Sequence, residues 1–177
     1  MSLEELWQLF PIFLVAPNKK WKQQFSNEEM ALKKTLNQNS LVGIYHIGST
    51  AIPNIYAKDI VDILATFVDA NALKKAALLL QDNGWRVMST SAKRISLNKG
   101  YTEDGFAKEV FHLHLRLTND IDEIYFRDYL IAHSDVAKEY EKLKLDLWRR
   151  FEHDRDGYTN AKTAFITSVC AKAKGGL

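Results

Sequence analysis

The spacing of apolar residues changes period along the chain, and each change predicts an element. Residues 41–47 (LVGIYHI) and 59–67 (DIVDILATF) are dense in β-branched and apolar side chains, which predicts two buried strands, the first ended by Gly48. Residues 70–81 (ANALKKAALLLQ) read as a helix that stops at Asn83-Gly84, a C-terminal signal. Three more strands are predicted over 85–89, 93–97 and 109–117, the first two joined by a short turn and the last two by the glycine-containing segment NKGYTEDGF. The last strand is the most informative. In FHLHLRL, His112, His114 and Arg116 point to one side while Phe111, Leu113, Leu115 and Leu117 point to the other.

Ahead of these strands, residues 3–10 predict a short helix ended by Pro11, followed by an extended arm, PIFLVAPN, with Asn18 as a cap for a helix over 21–36. Glu28, Glu29, Lys33 and Lys34 suit the solvated face of that helix. After Asn119-Asp120 the pattern turns helical, over 121–132, 135–151 and 156–173, with HDRDG between the last two. The order predicts the α+β class. It divides into a helix and arm (1–18), a mixed-sheet core (19–118) and a C-terminal helical layer (119–174) within one domain. The Lys/Gly tail at 172–176 is expected to fray.

A length of 177 residues supports one well-buried core and is short for two. Lys and Arg number 24 against 22 Asp and Glu, so net charge alone argues for neither nucleic acid nor an anionic membrane as partner. The apolar run LWQLFPIFLVA follows Glu4 and Glu5, is broken by Pro11 and is too short to span a bilayer, so no membrane segment is expected. A single cysteine, Cys170, in an apolar helical pattern suits a buried thiol and a cytoplasmic setting.

Candidate chemistry centres on HIGSTAIPNIYAKDIVDILATF, residues 46–67. Gly48-Ser49 leaves a strand for a helical turn, and such a pair offers backbone N–H groups and a hydroxyl to a phosphate. The pair is common; the acidic strand that follows gives it weight, because phosphoryl and nucleotidyl transfer use a divalent cation held by carboxylates beside the phosphate. Two strand carboxylates share a cation when they stand two positions apart. Asp62 is present, but position 64 is Leu, and Asp59 lies an odd number of positions away on the opposite face of a regular strand. A two-cation site is short of one carboxylate.

The chain resembles the GrpB family (UPF0157), a branch of the nucleotidyltransferase-like fold. The resemblance is carried by ELWQLFPIFLVAPNKKW, YHIGSTAIPNIYAKDIVDI, FHLHL, FRDYLIAHSDVAKEYEKLK and DRDGYTNAKTAFI, so it covers nearly the whole chain. The middle segment is similar to the family pattern HIGSTAVPGLAAKPIIDIDV, with Asn54 for a Gly, Asp59 for a Pro and Leu64 for the second Asp. The resemblance implies a nucleotidyltransferase-like mixed β-sheet with flanking helices and a C-terminal helical layer. It implies a nucleotide or phosphorylated small molecule as ligand, with a divalent cation, Mg²⁺ or Mn²⁺. Some relatives are fused to dephospho-coenzyme A kinase, which points toward coenzyme A metabolism.

Asp62 is the candidate catalytic and cation-binding residue, with an ion pair to Lys58 or Arg116 as the plainer alternative. His112 and His114 are candidate cation ligands beside it, where the resemblance implies a third acidic ligand; the alternative is a hydrogen-bonded pair lining a cleft. Gly48 and Ser49 either contact an anion or simply turn and cap the chain. Lys58 and Arg116 suit phosphate, and Tyr158 and Lys162, four apart on one helix face, reach a pocket together. His46 is expected in the core, and Trp7, Trp21, Trp85 and Trp148 in packing. Two functions stay open: a metal-dependent transferase of nucleotidyl or phosphoryl groups with an incomplete carboxylate pair, or a ligand-sensing or protein-interaction module that retains the fold.

Overall fold

The computed structural model describes residues 2–175. Strands β1 (Leu41–Ile47), β2 (Val61–Phe67), β3 (Arg86–Thr90), β4 (Ile95–Thr102) and β5 (Gly105–Leu117) form a mixed sheet in the order β1-β2-β5-β4-β3. β2 and β5 are parallel and the other neighbours antiparallel. A parallel pair needs a crossover, and helix α3 (Ala70–Gln81) with the β3–β4 hairpin supplies it. With six helices around it among the described residues, this is the expected α+β arrangement.

Strand alternation sorts the central strands into two unlike faces. Ile63, Ala65 and Phe67 of β2 and Leu113 and Leu115 of β5 turn to one face. There they are buried in one cluster with Trp21 and Leu32 of α2 (Lys20–Thr35) and Leu73 and Leu80 of α3. Each leucine, isoleucine or phenylalanine so removed from water contributes about 1.5–3 kcal/mol before chain entropy is set against it. Two polar contacts fix the entry of α2: the Lys20 N–H donates to Asn18 Oδ1 at 2.9 Å, and the Trp21 indole donates to Asp59 Oδ1 at 2.7 Å.

The other face is roofed by α4 (Asp122–Ala132), α5 (Ser134–Phe151) and α6 (Arg155–Lys174). Phe126, Leu130, Tyr140, Val169 and Cys170 of these helices bury a second cluster with Ile52 and Ile55 from the β1–β2 connection. The N-terminal segment begins with α1 (Leu3–Leu9) and continues as an extended arm. The arm bridges Val15 to Ala57 and buries Ile12 against Leu147 and Tyr158.

Two expectations about strands are corrected. β2 starts at Val61, not at Asp59, because the chain turns just before it, with the Ile60 N–H donating to Lys58 O at 2.8 Å. NKGYTEDGF is no connecting loop: Asn98 to Thr102 extend β4, Gly105 and Phe106 open β5, and Glu103-Asp104 form the turn. The ladder survives the glycine because Gly100, at φ +99°, sits at a bulge between Lys99 and Tyr101 where a side chain would strike the backbone of Glu109. Tyr101, Phe106 and Phe10 then cluster, with ring centroids 5.0–5.3 Å apart.

α6 remains helical to Lys174, so Lys172 belongs to it, while Gly176 of the expected fraying tail lies outside the described residues. Among the described residues no helix is long and apolar enough to cross a membrane.

Candidate functional site

Register brings the chemistry into one row across the sheet. Asp62 on β2 pairs with Ile47 on β1 and with His112 on β5, and His112 pairs with Asn98 on β4. One pair further along, His114 stands beside Leu64. Beyond the end of β1, Gly48 adopts φ +73°, ψ −173°, a conformation open essentially to glycine alone, and starts the 3₁₀ turn Ser49–Ala51. A β-carbon at position 48 would stand 2.6 Å from Asp62 Oδ2, so the glycine permits the turn to close against the carboxylate. The two halves of the sequence motif are therefore in contact.

Asp62 is held from its other side by imidazoles. Its Oδ1 lies 3.4 Å from His112 Nδ1 and 3.6 Å from His114 Nε2. Burial pushes the carboxyl up, but the His112 and His114 imidazoles beside it outweigh that and hold Asp62 well below the usual carboxylate range. The network extends outward: Tyr101 Oη is 2.7 Å from His112 Nε2 and 2.8 Å from Arg155 Nη2. Arginine can only donate, so the Tyr101 hydroxyl accepts from Arg155. An ionised Asp62 can only accept, so a neutral His112 ring carries its proton on Nδ1, facing the carboxylate, and its Nε2 accepts from Tyr101. Burial pushes the His112 ring down, in keeping with a neutral ring, although Asp62 pulls the other way.

Above this row opens a cleft of about 580 Å³, in the range of small-molecule sites. Gly48, Ser49 and Asp62 form its floor with His112 and Asn98, and α5 and α6 supply its far wall. Four cationic side chains reach into it, Lys58, Lys144, Arg155 and Lys162, against the carboxylates of Asp62 and Asp156. Lys144 is 2% exposed; its ammonium donates to Ser49 Oγ at 2.9 Å and to Tyr56 O at 2.6 Å. Burial, then the charges of Lys162 and Lys58, push Lys144 down to about 7. Burial, then Lys162 and Arg155, do the same to Lys58. Lys58 and Lys162 flank the ring of Tyr158, at 5.4 and 4.5 Å from its centroid. The fully buried Tyr158 hydroxyl has no hydrogen-bond partner among the described residues.

The fold thus gathers Gly48, Ser49, Lys58, Asp62, His112, Tyr158 and Lys162 around one cleft, and His114 beneath it through Asp62. Arg116 is not brought there. Its guanidinium, 6% exposed, turns to the acids that follow it, Asp120 at 3.6 Å and Glu123 at 3.2 Å, and ties β5 to α4. Neither it nor Lys58 forms an ion pair with Asp62 among the described residues. His46 faces away from Asp62, half-buried, stacked on Phe25 at 4.9 Å and bonded to Thr50 Oγ1 at 2.8 Å. Burial pushes its ring down to about 4.

The expected cation set does not fit as arranged. Among the described residues no three His, Cys, Asp or Glu side chains are disposed to hold a metal ion. Asp62 Oδ1 faces both rings, Oδ2 lies against Gly48, and Leu64, fully buried, fills the second carboxylate position. A hard divalent cation seeks several oxygen ligands, and this row offers one carboxylate.

Lys144, Arg155, Tyr101 and Asn98 are the site residues that sequence reasoning missed. Lys144 had a signal: it falls on the stripe Ala137, Tyr140, Lys144 and Leu147, the buried residues of α5, where a charge needs a partner.

The family model described as GrpB protein matches residues 11–172. The UPF0157 protein YqkA of Bacillus subtilis is 30% identical over 98% of this chain and 50% of its own length. A UPF0157 protein of Pseudomonas aeruginosa is 32% identical over 86% of this chain and 64% of its own length. The chain thus spans half to two thirds of these two relatives. It spans 93% of the glutamate-rich protein GrpB of Alkalihalophilus pseudofirmus, at 31% identity over 89% of this chain. Among solved structures, the conserved protein GrpB from Enterococcus faecalis superposes with a TM-score of 0.79 and 27% identity, over 91% of this chain and 96% of that one. Cid1 in complex with its short product ApU superposes at 0.52 with 12% identity, over 84% of this chain and 45% of that one, a likeness of fold alone.

Proposed function

The chain belongs to the GrpB family, with a nucleotidyltransferase-like fold, and from that premise we propose that it binds a nucleotide or another phosphorylated small molecule in the cleft between the sheet and the C-terminal helices. The observation that carries the reading is the convergence of Lys58, Lys144, Arg155 and Lys162 on one cleft whose floor is the Gly48-Ser49 turn. Burial first, and then the neighbouring cations, push two of these lysines down to about 7, and an anion in the cleft relieves both. Lys144 holds Ser49 in place, Arg155 and Lys162 face the phosphates, and Tyr158 and Lys58 close the wall.

Leu64 favours binding without group transfer. It removes the carboxylate that a second cation would need and seals the sheet there. A ligand-sensing role fits this cleft better than turnover. A thermal-shift panel of nucleoside triphosphates and phosphorylated coenzyme A precursors tests the reading. At least one such compound is expected to raise Tm in the wild type and to lose most of the effect in Lys162→Ala. Release of pyrophosphate from a nucleoside triphosphate would favour the transferase instead, and a panel without any shift would overturn phosphate binding.

A further inference from the structure

A cleft that takes phosphate must still balance its charge, and this one is built differently from a cation-bridged site. In phosphoryl transfer generally, divalent cations bridge the phosphate oxygens to protein carboxylates. Here the one strand carboxylate has Oδ1 against two imidazoles and Oδ2 packed close to Gly48, and the neighbouring position on the same face is a buried leucine. Positive charge comes instead from the far wall. Lys144 and Arg155 are positioned by neutral acceptors, Ser49 Oγ and Tyr56 O for the first and Tyr101 Oη for the second, and neither forms an ion pair among the described residues. The same holds for Lys58 and Lys162, which rest on the ring of Tyr158. Four cations in a cleft with two carboxylates leave room for an anion that brings its own full charge.

We propose that the cleft takes its phosphorylated ligand as the free anion, uncomplexed by metal, with Lys58, Lys144, Arg155 and Lys162 in the place of a divalent cation. The inference rests on the reading of the cleft as a phosphate site and adds what accompanies the phosphate. A magnesium complex of the same ligand carries two fewer negative charges, and the strand row beneath it offers one carboxylate where a bridging cation uses several oxygen ligands. Asp62 then acts as a charge that opposes the ligand and holds His112 and His114, and its removal has the reverse of the effect expected for a metal ligand.

Calorimetric titration of inorganic tripolyphosphate and of ATP at pH 7, in EDTA and in excess MgCl₂ or MnCl₂, tests this on the wild type and on Asp62→Asn. Both compounds are expected to bind the wild type roughly tenfold more tightly in EDTA than with either metal. Asp62→Asn, which keeps the side-chain shape, is expected to tighten binding in EDTA, again by roughly tenfold. Equal or tighter binding with Mg²⁺ or Mn²⁺, or weaker binding by Asp62→Asn in EDTA, overturns the inference and leaves the phosphate site standing. No binding of either compound under any condition overturns both.

Discussion

The two faces of β2 and β5 are made from alternate residues of the same two strands, and they solve opposite problems. On one face Ile63, Ala65, Leu113 and Leu115 are fully buried under α2 and α3 and need nothing but volume. On the other, Asp62, His112 and His114 keep partial exposure, with both imidazoles against the carboxylate and hydrogen bonds running on from His112 to Tyr101 and Arg155. The closed face sets stability, while the open face fixes where charge stands. Because the side-chain period of a strand is two, a shift by one residue would exchange them, so the apolar face also enforces the register of the polar one.

Substitutions that mix the two faces should have the largest effects. Leu64→Asp restores the second carboxylate at a position with no exposure, and an uncompensated buried charge should cost about 4 kcal/mol in urea unfolding at pH 7. Full recovery on adding Mg²⁺ would show that the row can hold a cation after all. Leu113→Ala, on the closed face, should cost about 3 kcal/mol and leave tripolyphosphate affinity at the wild-type value. A large loss of affinity there would mean that the faces are not separable. Gly48→Ala places a β-carbon against Asp62 at a positive φ and should cost about 2 kcal/mol while also weakening ligand binding.

The remaining effect is a dependence on pH. Lys144 is pushed down to about 7 in the fold, whereas in the unfolded chain it returns to the ordinary lysine value of about 10.4. Between these two values the unfolded chain keeps a proton that the folded chain has lost, so stability rises with pH across that window. The slope is at most about 1.4 kcal/mol per pH unit, and below pH 7 both states are protonated and the contribution is flat. Lys144→Met should remove that part of the rise between pH 7 and 9. Identical slopes for variant and wild type would contradict the burial of a charged Lys144.

Much of this was legible in the residues, for reasons that differ by place. β1 and α3 fall on their expected bounds because each has one strong periodicity and a glycine or capping signal at its end. Asp62, His112 and His114 share a face because strand alternation is geometric. Arg116 was misplaced on the cleft because alternation puts it on that face, yet Asp120 and Glu123, four and seven residues on, capture it. NKGYTEDGF looked like a loop because a bulge and a turn use the same glycine-rich chemistry. Arg155 could not be seen at all: its reach to Tyr101 across 54 residues depends on how α6 docks, which no local pattern carries.

The central claim is that the cationic wall and the Gly48-Ser49 turn form one phosphate site, and a crystal structure of the protein grown with ATP tests it most directly. The account predicts phosphate oxygens within hydrogen-bond distance of Lys144, Arg155 and Lys162, over the Gly48-Ser49 turn. Phosphates bound elsewhere on the molecule, with this cleft filled only by solvent, would contradict it.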